Sequence, residues 1–362
     1  MKENALEIIN KIYNFGYIAY IVGGYVRDSL LNIKSKDIDI TTNATPMELK
    51  NIFKDEEMII SNYGSITLMY KNNAFEITTF RKEKDYLDNR HPSSITYVND
   101  LETDLLRRDF TINALCIDKD GNLIDLIKGR QDLENHLIKT IIDSDKSFHD
   151  DALRILRAIR FAALLDFTLD KDVIKAIENN KHLLKNISYE SKKKELDKIF
   201  GSNKAMEGIN LIKKYHLEED LELTNIDRVK DFSDIVGIWA MINTFKYNFT
   251  NSEKELIEKI NLVYDMEIDD KALYKYGVYV CVLAGINKGI DKKDIIKKYD
   301  ALKIKTKDEI AISAKEICKL YKRKAGPFLK DVYEDLEDKI LSGKVDNNNL
   351  KIKEYLMERI YD

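Results

Sequence analysis

Apolar residues at the start of the chain fall at helical spacing. Leu6, Ile8, Ile9, Ile12 and Tyr13 share one face and Gly16 follows as a stop, so the chain opens with a helix. The pattern then shifts to strand character. Residues 17–22 are apolar and β-branched, Gly23-Gly24 makes a tight passage, and 26–31 reads as a short helix. Ile38 and Ile40 alternate with Asp37 and Asp39, the two-residue period of a strand, before Thr45-Pro46 opens a helix carrying Met47, Leu49 and Phe53. Two β-rich runs, 66–71 and 75–80, predict a hairpin turning at Asn72-Asn73, and Asp120-Gly121 predicts another. Residues 81–94 are charged, contain Pro92 and show no period, which predicts a loop long enough to be functional. Beyond about residue 140 apolar positions repeat at helical spacing almost to the end. The chain therefore divides into an α/β head and a long all-α remainder.

Composition narrows the classes. With 44% hydrophobic and 34% charged residues over 362 positions, the chain is a folded globular protein and not a disordered one. A net charge of −4 means that any nucleic-acid contact must use local basic faces, of which Lys192-Lys193-Lys194 and Lys322-Arg323-Lys324 are candidates. Cys116, Cys281 and Cys318 are far apart and form no C-x-x-C, so neither a zinc site nor a disulfide framework is expected and a reducing cytoplasm fits. No signal-peptide core or run of 18 apolar residues points to export or a membrane.

Three segments carry candidate chemistry. The first is Gly23-Gly24-Tyr25-Val26-Arg27-Asp28 followed by Asp37-Ile38-Asp39. Residues i and i+2 of a strand point to one face about 6.6 Å apart, so the two carboxylates can converge on Mg²⁺. The glycines let backbone N–H groups approach a phosphate, with Arg27 as a charged donor. Glu76, opposite in facing to Phe75 and Ile77, could complete a three-carboxylate site for a reaction that activates a 3′-hydroxyl and releases pyrophosphate. The second segment is Arg107-Arg108-Asp109-Phe110-Thr111-Ile112-Asn113-Ala114, with Asp109 as a possible helix cap.

The third runs from His149 to Phe161, read as one helix with Asp151, Arg154, Arg157 and Arg160 forming a slanting polar stripe at every third position. Such a stripe also suits an ordinary Asp–Arg pair on a helix face. Asp151 can accept from an exocyclic amine while Arg154 donates to the neighbouring ring acceptor, a pattern shared by cytosine and adenine; uracil and guanine present a carbonyl instead and are rejected. Three guanidiniums without partners on an apolar helix would be costly to bury, and a triphosphate would compensate them. His149-Asp150 lacks the further spaced histidines that a metal phosphohydrolase needs.

Together these motifs resemble the bacterial CCA-adding enzymes, the tRNA nucleotidyltransferase and poly(A) polymerase family: G-G-x-V-R-D, D-x-D, R-R-D-F-T-x-N-A, and an E-D-x-x-R type helix represented by Asp150-Asp151-Ala152-Leu153-Arg154. Asp150 stands where the family usually has glutamate. The likeness continues at Lys324-Ala325-Gly326-Pro327 and Tyr355-Leu356-Met357-Glu358-Arg359. It implies an α+β fold, a polymerase-β-like head (1–140) followed by an elongated all-α neck (141–205), body (206–275) and tail (276–362). It further implies Mg²⁺ on Asp37 and Asp39, Glu76 as a further catalytic carboxylate, and a nucleotide held by Gly24, Arg27, Arg108, Asp151, Arg154, Arg157 and Arg160. The implied partners are CTP, ATP and the 3′ end and upper half of tRNA, with no membrane and no obligate protein partner. Family members differ in product, some adding CCA, others only CC or the final A, and others poly(A). Residues 84–92 resemble the loop associated with completing A addition, which disfavours a CC-only enzyme. An A-adding enzyme, a poly(A) polymerase and a catalytically silent RNA-binding protein are the alternatives.

Overall fold

A computed structural model describes residues 1–35, 37–61, 64–230, 234–242 and 244–359, so the last three residues of the expected tail lie outside it. The chain forms two compact units, Met1–Glu222 and Leu223–Asp362.

In the first unit, α1 (Lys2–Asn14) buries Ala5, Ile8, Ile9 and Ile12 and ends before Gly16 in the left-handed region. The sheet strands are β1 (Ala19–Val22), β2 (Asp39–Thr42), β3 (Met58–Ile60), β4 (Ser65–Tyr70), β5 (Asn73–Thr79), β8 (Cys116–Ile117) and β9 (Leu123–Ile124), in the order β3-β4-β5-β2-β1-β8-β9. Only β2 and β5 pair in parallel, placing Asp39 beside Glu76; the other neighbours are antiparallel. Helices α2 (Gly24–Leu30) and α3 (Pro46–Ile52) follow β1 and β2. Thr45 and Glu48 form a reciprocal capping box at the start of α3, which is why Thr-Pro began a helix there.

Two sequence expectations need correcting. The first hairpin turns at Lys71-Asn72, both at positive φ, while Asn73 already pairs with Tyr70 in the ladder. A two-residue turn with φ > 0 at both positions matches the strand twist, and it sits one residue earlier than expected. The segment 81–94 is also not all loop. β6 (Arg81–Lys84) and β7 (Ser94–Tyr97) form an antiparallel ribbon around residues 85–93. Hydrophobic alternation is replaced there by a charge pair, Arg81 to Glu83 at 2.6 Å, so apolar periodicity does not reveal the strand.

The rest of this unit contains α4 (Leu101–Leu106), α5 (Gly129–Glu134), α6 (Ser144–Asp150), α7 (Leu153–Leu165), α8 (Lys171–Asn180), α9 (Tyr189–Phe200) and α10 (Ala205–Lys214). A short parallel pair, β10 (Leu137–Ile138) and β11 (Thr168–Leu169), interrupts the helices. Helix α7 buries Ile155, Leu156, Ile159, Ala162 and Ala163 and packs on α9 and α10. The α9–α10 approach is close enough that a Cβ on Gly208 would lie 2.2 Å from Ile199 Cγ2.

The second unit is helical among the described residues: α11 (Ile235–Ile242), α12 (Asn251–Tyr264), α13 (Asp270–Asn287, interrupted at Gly277), α14 (Lys292–Asp300), α15 (Ala314–Leu320), α16 (Phe328–Leu341) and α17 (Asn349–Glu358). Trp239, Tyr247 and Phe249 form an aromatic core. Arg359 and Tyr355 bind Asp335, tying α17 to α16. No described helix is long and apolar enough to cross a membrane.

Candidate active site

A cavity of about 700 Å³ opens in the first unit, lined by residues from every candidate segment except Glu76. Its sheet side begins at the β1–α2 turn. Gly23 has φ 82°, a conformation that disfavours a side chain, and a Cβ there would lie 3.8 Å from Asp39 Oδ2. Arg27 is fixed by Asn113 Oδ1 at 2.6 Å and Asp28 at 2.6 Å. Asp37 and Asp39 are exposed while Ile38 and Ile40 are buried, so the alternation expected of a strand holds although Asp37 precedes β2. Glu76 is exposed on β5 between fully buried Phe75 and Ile77, in register with Asp39.

The electrostatics fit a cation. Asp39 reaches solvent at the cavity, but the protein packed around its carboxyl, and then the Glu76 charge, push it up to about 6, with Arg108 opposing. Crowded carboxylates of this kind are relieved by a divalent ion. Among the described residues, no three His, Cys, Asp or Glu groups gather closely enough to form a ligand set by themselves. Asp37 and Asp39 both line the cavity, and Glu76 lies in register with Asp39 on the neighbouring strand.

The Arg107-Arg108-Asp109 segment forms the adjoining wall. Arg107 and Arg108 bind Asp104, whose side chain is fully buried and also accepts from Thr41 Oγ1 and the Arg81 N–H at 3.1 and 3.2 Å. Burial alone would raise the Asp104 carboxyl, but Arg108 and Arg107 together hold it below the ordinary range. Asp109 does not cap a helix as expected. The turn Thr111–Asn113 has no side-chain cap; Asp109 instead accepts from the Phe110 N–H (2.8 Å), Asn113 Nδ2 (3.0 Å) and Arg157 Nε (2.7 Å). Burial opposes this charge, yet Arg157 and those hydrogen bonds bring its carboxyl down to about 2. A buried anion with aligned donors is worth more to the fold as an anchor than as a cap.

The expected continuous helix from 149 to 161 is broken. Asp151 is extended (φ −136°, ψ 96°), separating α6 from α7, and its Oδ1 accepts the N–H of Leu153, the first residue of α7, at 3.0 Å. Asp151, Arg154, Arg157 and Arg160 all line the cavity, whereas Asp150, the last residue of α6, does not. The premise of partnerless guanidiniums also fails. Arg154 donates to Ser147 Oγ (2.8 Å) and the Arg107 carbonyl (2.7 Å), Arg157 to Asp109, and Arg160 Nε stands 2.8 Å from Glu195 Oε2. Partners on the segment after α4, on α6 and on α9 supply the counter-charge and acceptors that the helix's own sequence did not show. Arg27, Arg157 and Arg160 also surround the Phe161 ring at 4.9, 5.4 and 4.3 Å.

The ribbon loop closes over this wall. Arg90 donates to Asp151 Oδ2 at 2.6 Å, and Asn89 joins the His149 carbonyl, the Ala152 N–H and Asn186. Sequence reasoning missed Asp104 and Glu195, and named Asn113 within its segment without giving it a role. Asp104 was detectable, lying three and four residues before Arg107 and Arg108 at helical pairing distance; Glu195 has no local signal. The Lys192-Lys193-Lys194 cluster is not a basic face. Successive helical residues turn by about 100°, so Lys192 is buried over Tyr189, Lys193 binds Asp197, and only Lys194 is exposed.

Comparison with known proteins places this architecture. Residues 19–139 match the family model described as Poly A polymerase head domain, 166–223 that of the probable RNA and SrmB-binding site of polymerase A, and 234–356 that of tRNA nucleotidyltransferase domain 2. The CCA-adding enzyme of Staphylococcus haemolyticus is 33% identical over 99% of this chain and 98% of its own length. The chain belongs to the CCA-adding enzyme family. The Lactobacillus johnsonii CCA-adding enzyme is 34% identical over 97% of the chain and 96% of its own length. The crystal structure of the Bacillus stearothermophilus CCA-adding enzyme in complex with CTP superimposes with a TM-score of 0.82 at 29% identity, covering 99% of this chain and 97% of that one. The Thermotoga maritima CCA-adding enzyme complexed with tRNA shares the fold, with a TM-score of 0.74 at 21% identity over 98% of this chain and 94% of that one. The expected α+β class, a sheet-containing head followed by helices, is therefore the class of CCA-adding enzymes.

Proposed function

We propose that this chain adds CCA to the 3′ end of tRNA from CTP and ATP, releasing pyrophosphate, without a nucleic-acid template. The observation that carries this reading is the meeting, in one cavity, of Asp37 and Asp39 with Asp151 and Arg154. Family membership and the CTP-bound relative support it.

In this reading Asp37 and Asp39 would hold Mg²⁺, with Glu76 as the neighbouring carboxylate, and the ion would supply positive charge that eases attack by the tRNA 3′-hydroxyl. Gly24, Arg27, Arg108, Arg157 and Arg160 hold the nucleotide. Asp151 and Arg154 select its base, Asp151 accepting from the amine of cytosine or adenine and Arg154 donating to the adjacent ring nitrogen. Arg90 occupies Asp151 and yields to the base. The loop carrying Arg90 supports completion of the A addition and so favours the full CCA product over CC alone.

The division into head (1–140), neck (141–205), body (206–275) and tail (276–362) belongs to the same proposal. So does tRNA binding by the helical body and tail, where Lys322, Arg323 and Lys324 are exposed. Action on tRNA in the cytoplasm completes it.

The test supplies Mg²⁺, transcripts ending before CCA, after C and after CC, and CTP, ATP or both, with products resolved at single-nucleotide length. Completion to CCA followed by a stop is expected. Addition of A only to the CC-ended transcript would make the chain an A-adding enzyme, unlimited A addition a poly(A) polymerase, and no addition a silent RNA-binding protein.

A further inference from the structure

One carboxylate in the cavity wall has no part in the reaction proposed above. Glu195, on α9, is 4% exposed and lines the cavity with Lys198 one turn further on. Its partners are all cations. Oε1 accepts from Lys198 Nζ at 2.9 Å and stands 3.9 Å from Arg157 NH1, while Oε2 is 2.8 Å from Arg160 Nε.

This pairing differs in kind from the other buried carboxylates nearby. Asp104 and Asp109 accept several well-directed hydrogen bonds. Glu195 Oε2 and Arg160 Nε are in ionic contact, yet each is buried without a hydrogen bond. Charge is neutralised there while directional bonding is left unsatisfied, the costlier half of burying a polar atom. A polyphosphate has several acceptor oxygens and more charge than one carboxylate, so it can give these same donors the aligned bonds Glu195 does not. Arg160 shares the Phe161 ring with Arg27, beside the glycine turn, so such an anion would reach it from within the cavity.

We propose that Glu195 is an internal counter-anion that competes with the polyphosphate of the incoming nucleotide for Arg160 and Lys198, weakening nucleotide and pyrophosphate binding and speeding pyrophosphate release. The inference rests on reading the cavity as the nucleotide site. When pyrophosphate leaves, Glu195 takes back the two cations, so release does not strand buried positive charge.

The experiment is a calorimetric titration of the full chain and of Glu195→Gln with pyrophosphate and with CTP at fixed ionic strength. The variant should bind pyrophosphate about tenfold tighter and CTP several-fold tighter. A residue that merely holds the arginines in place would give the opposite sign, so equal or weaker binding by the variant overturns the proposal. If Glu195→Gln does not fold, wild-type protein labelled with ¹⁵N-arginine replaces it. The Arg160 Nε–H signal, assigned by its loss in Arg160→Lys, should move downfield on saturation with pyrophosphate, and an unmoved signal overturns the proposal. Failure of the wild type to bind either ligand would overturn the nucleotide reading and this inference together, whereas binding with the wrong sign in the variant overturns only the inference.

Discussion

At one end of the cavity Asp37 and Asp39 stand exposed, with Glu76 adding like charge beside Asp39. At the other end Arg154, Arg157 and Arg160 already have protein partners in Ser147, the Arg107 carbonyl, Asp109 and Glu195. The carboxylate end gathers like charge and gains from a cation. The arginine end gathers opposite charges and is organised by the protein itself. The difference teaches that acidic residues here fall into two groups, one gathered beside like charge and one used to position cations, although both draw on aspartate and glutamate alike.

Substitutions that separate these groups test the comparison. Asp39→Asn should reduce nucleotide incorporation at least a thousandfold, roughly 4 kcal/mol of barrier, while tRNA affinity and melting temperature stay near wild type; retained turnover sinks the metal assignment. Asp104→Asn should do the reverse in emphasis, costing about 3 kcal/mol of folding stability because Arg107 and Arg108 lose a buried counter-charge. Urea unfolding measures it, and a loss below about 1 kcal/mol would mean that Asp104 is not the hub its four donors suggest.

Asp109 gives the comparison a pH axis. Its folded carboxyl lies at about 2, below the ordinary 3.8. A depressed value stabilises the fold above the ordinary range, and that contribution fades as pH falls from about 4 to about 2, a loss of roughly 2 kcal/mol. Denaturant midpoints across that interval should fall more steeply for the wild type than for Asp109→Asn, and parallel curves would contradict the assignment. The smallest expected effect is on selection. Arg154→Ala should cut discrimination of CTP and ATP against UTP about tenfold, near 1.4 kcal/mol, with tRNA affinity unchanged. Undiminished discrimination would remove Arg154 from base selection.

Much of this was legible before the fold was known, for identifiable reasons. The alternation of Asp37 and Asp39 with Ile38 and Ile40 is a local period, and it survives in the structure even where the strand does not extend. The i+3 recurrence of Arg154, Arg157 and Arg160 likewise fixes a shared helix face. What stayed hidden depends on distant partners. Asp151 breaks the helix with an extended backbone and takes Arg90, 61 positions away, on its carboxylate, neither of which hydrophobic spacing encodes. Glu195 lies 35 positions from Arg160 along the chain. The β6–β7 ribbon is charged along β6, so its pairing leaves no apolar trace.

The most direct test of the contrast between the two ends is calorimetric melting of the wild type and Asp39→Asn with CTP, with and without Mg²⁺, at constant ionic strength. If the exposed carboxylates are set out for a divalent ion, Mg²⁺ adds stability to the CTP-bound wild type and little to the variant, while CTP alone stabilises both equally through the arginine end. An equal Mg²⁺ increment in both proteins would contradict the account, because the ion would then be acting away from Asp39.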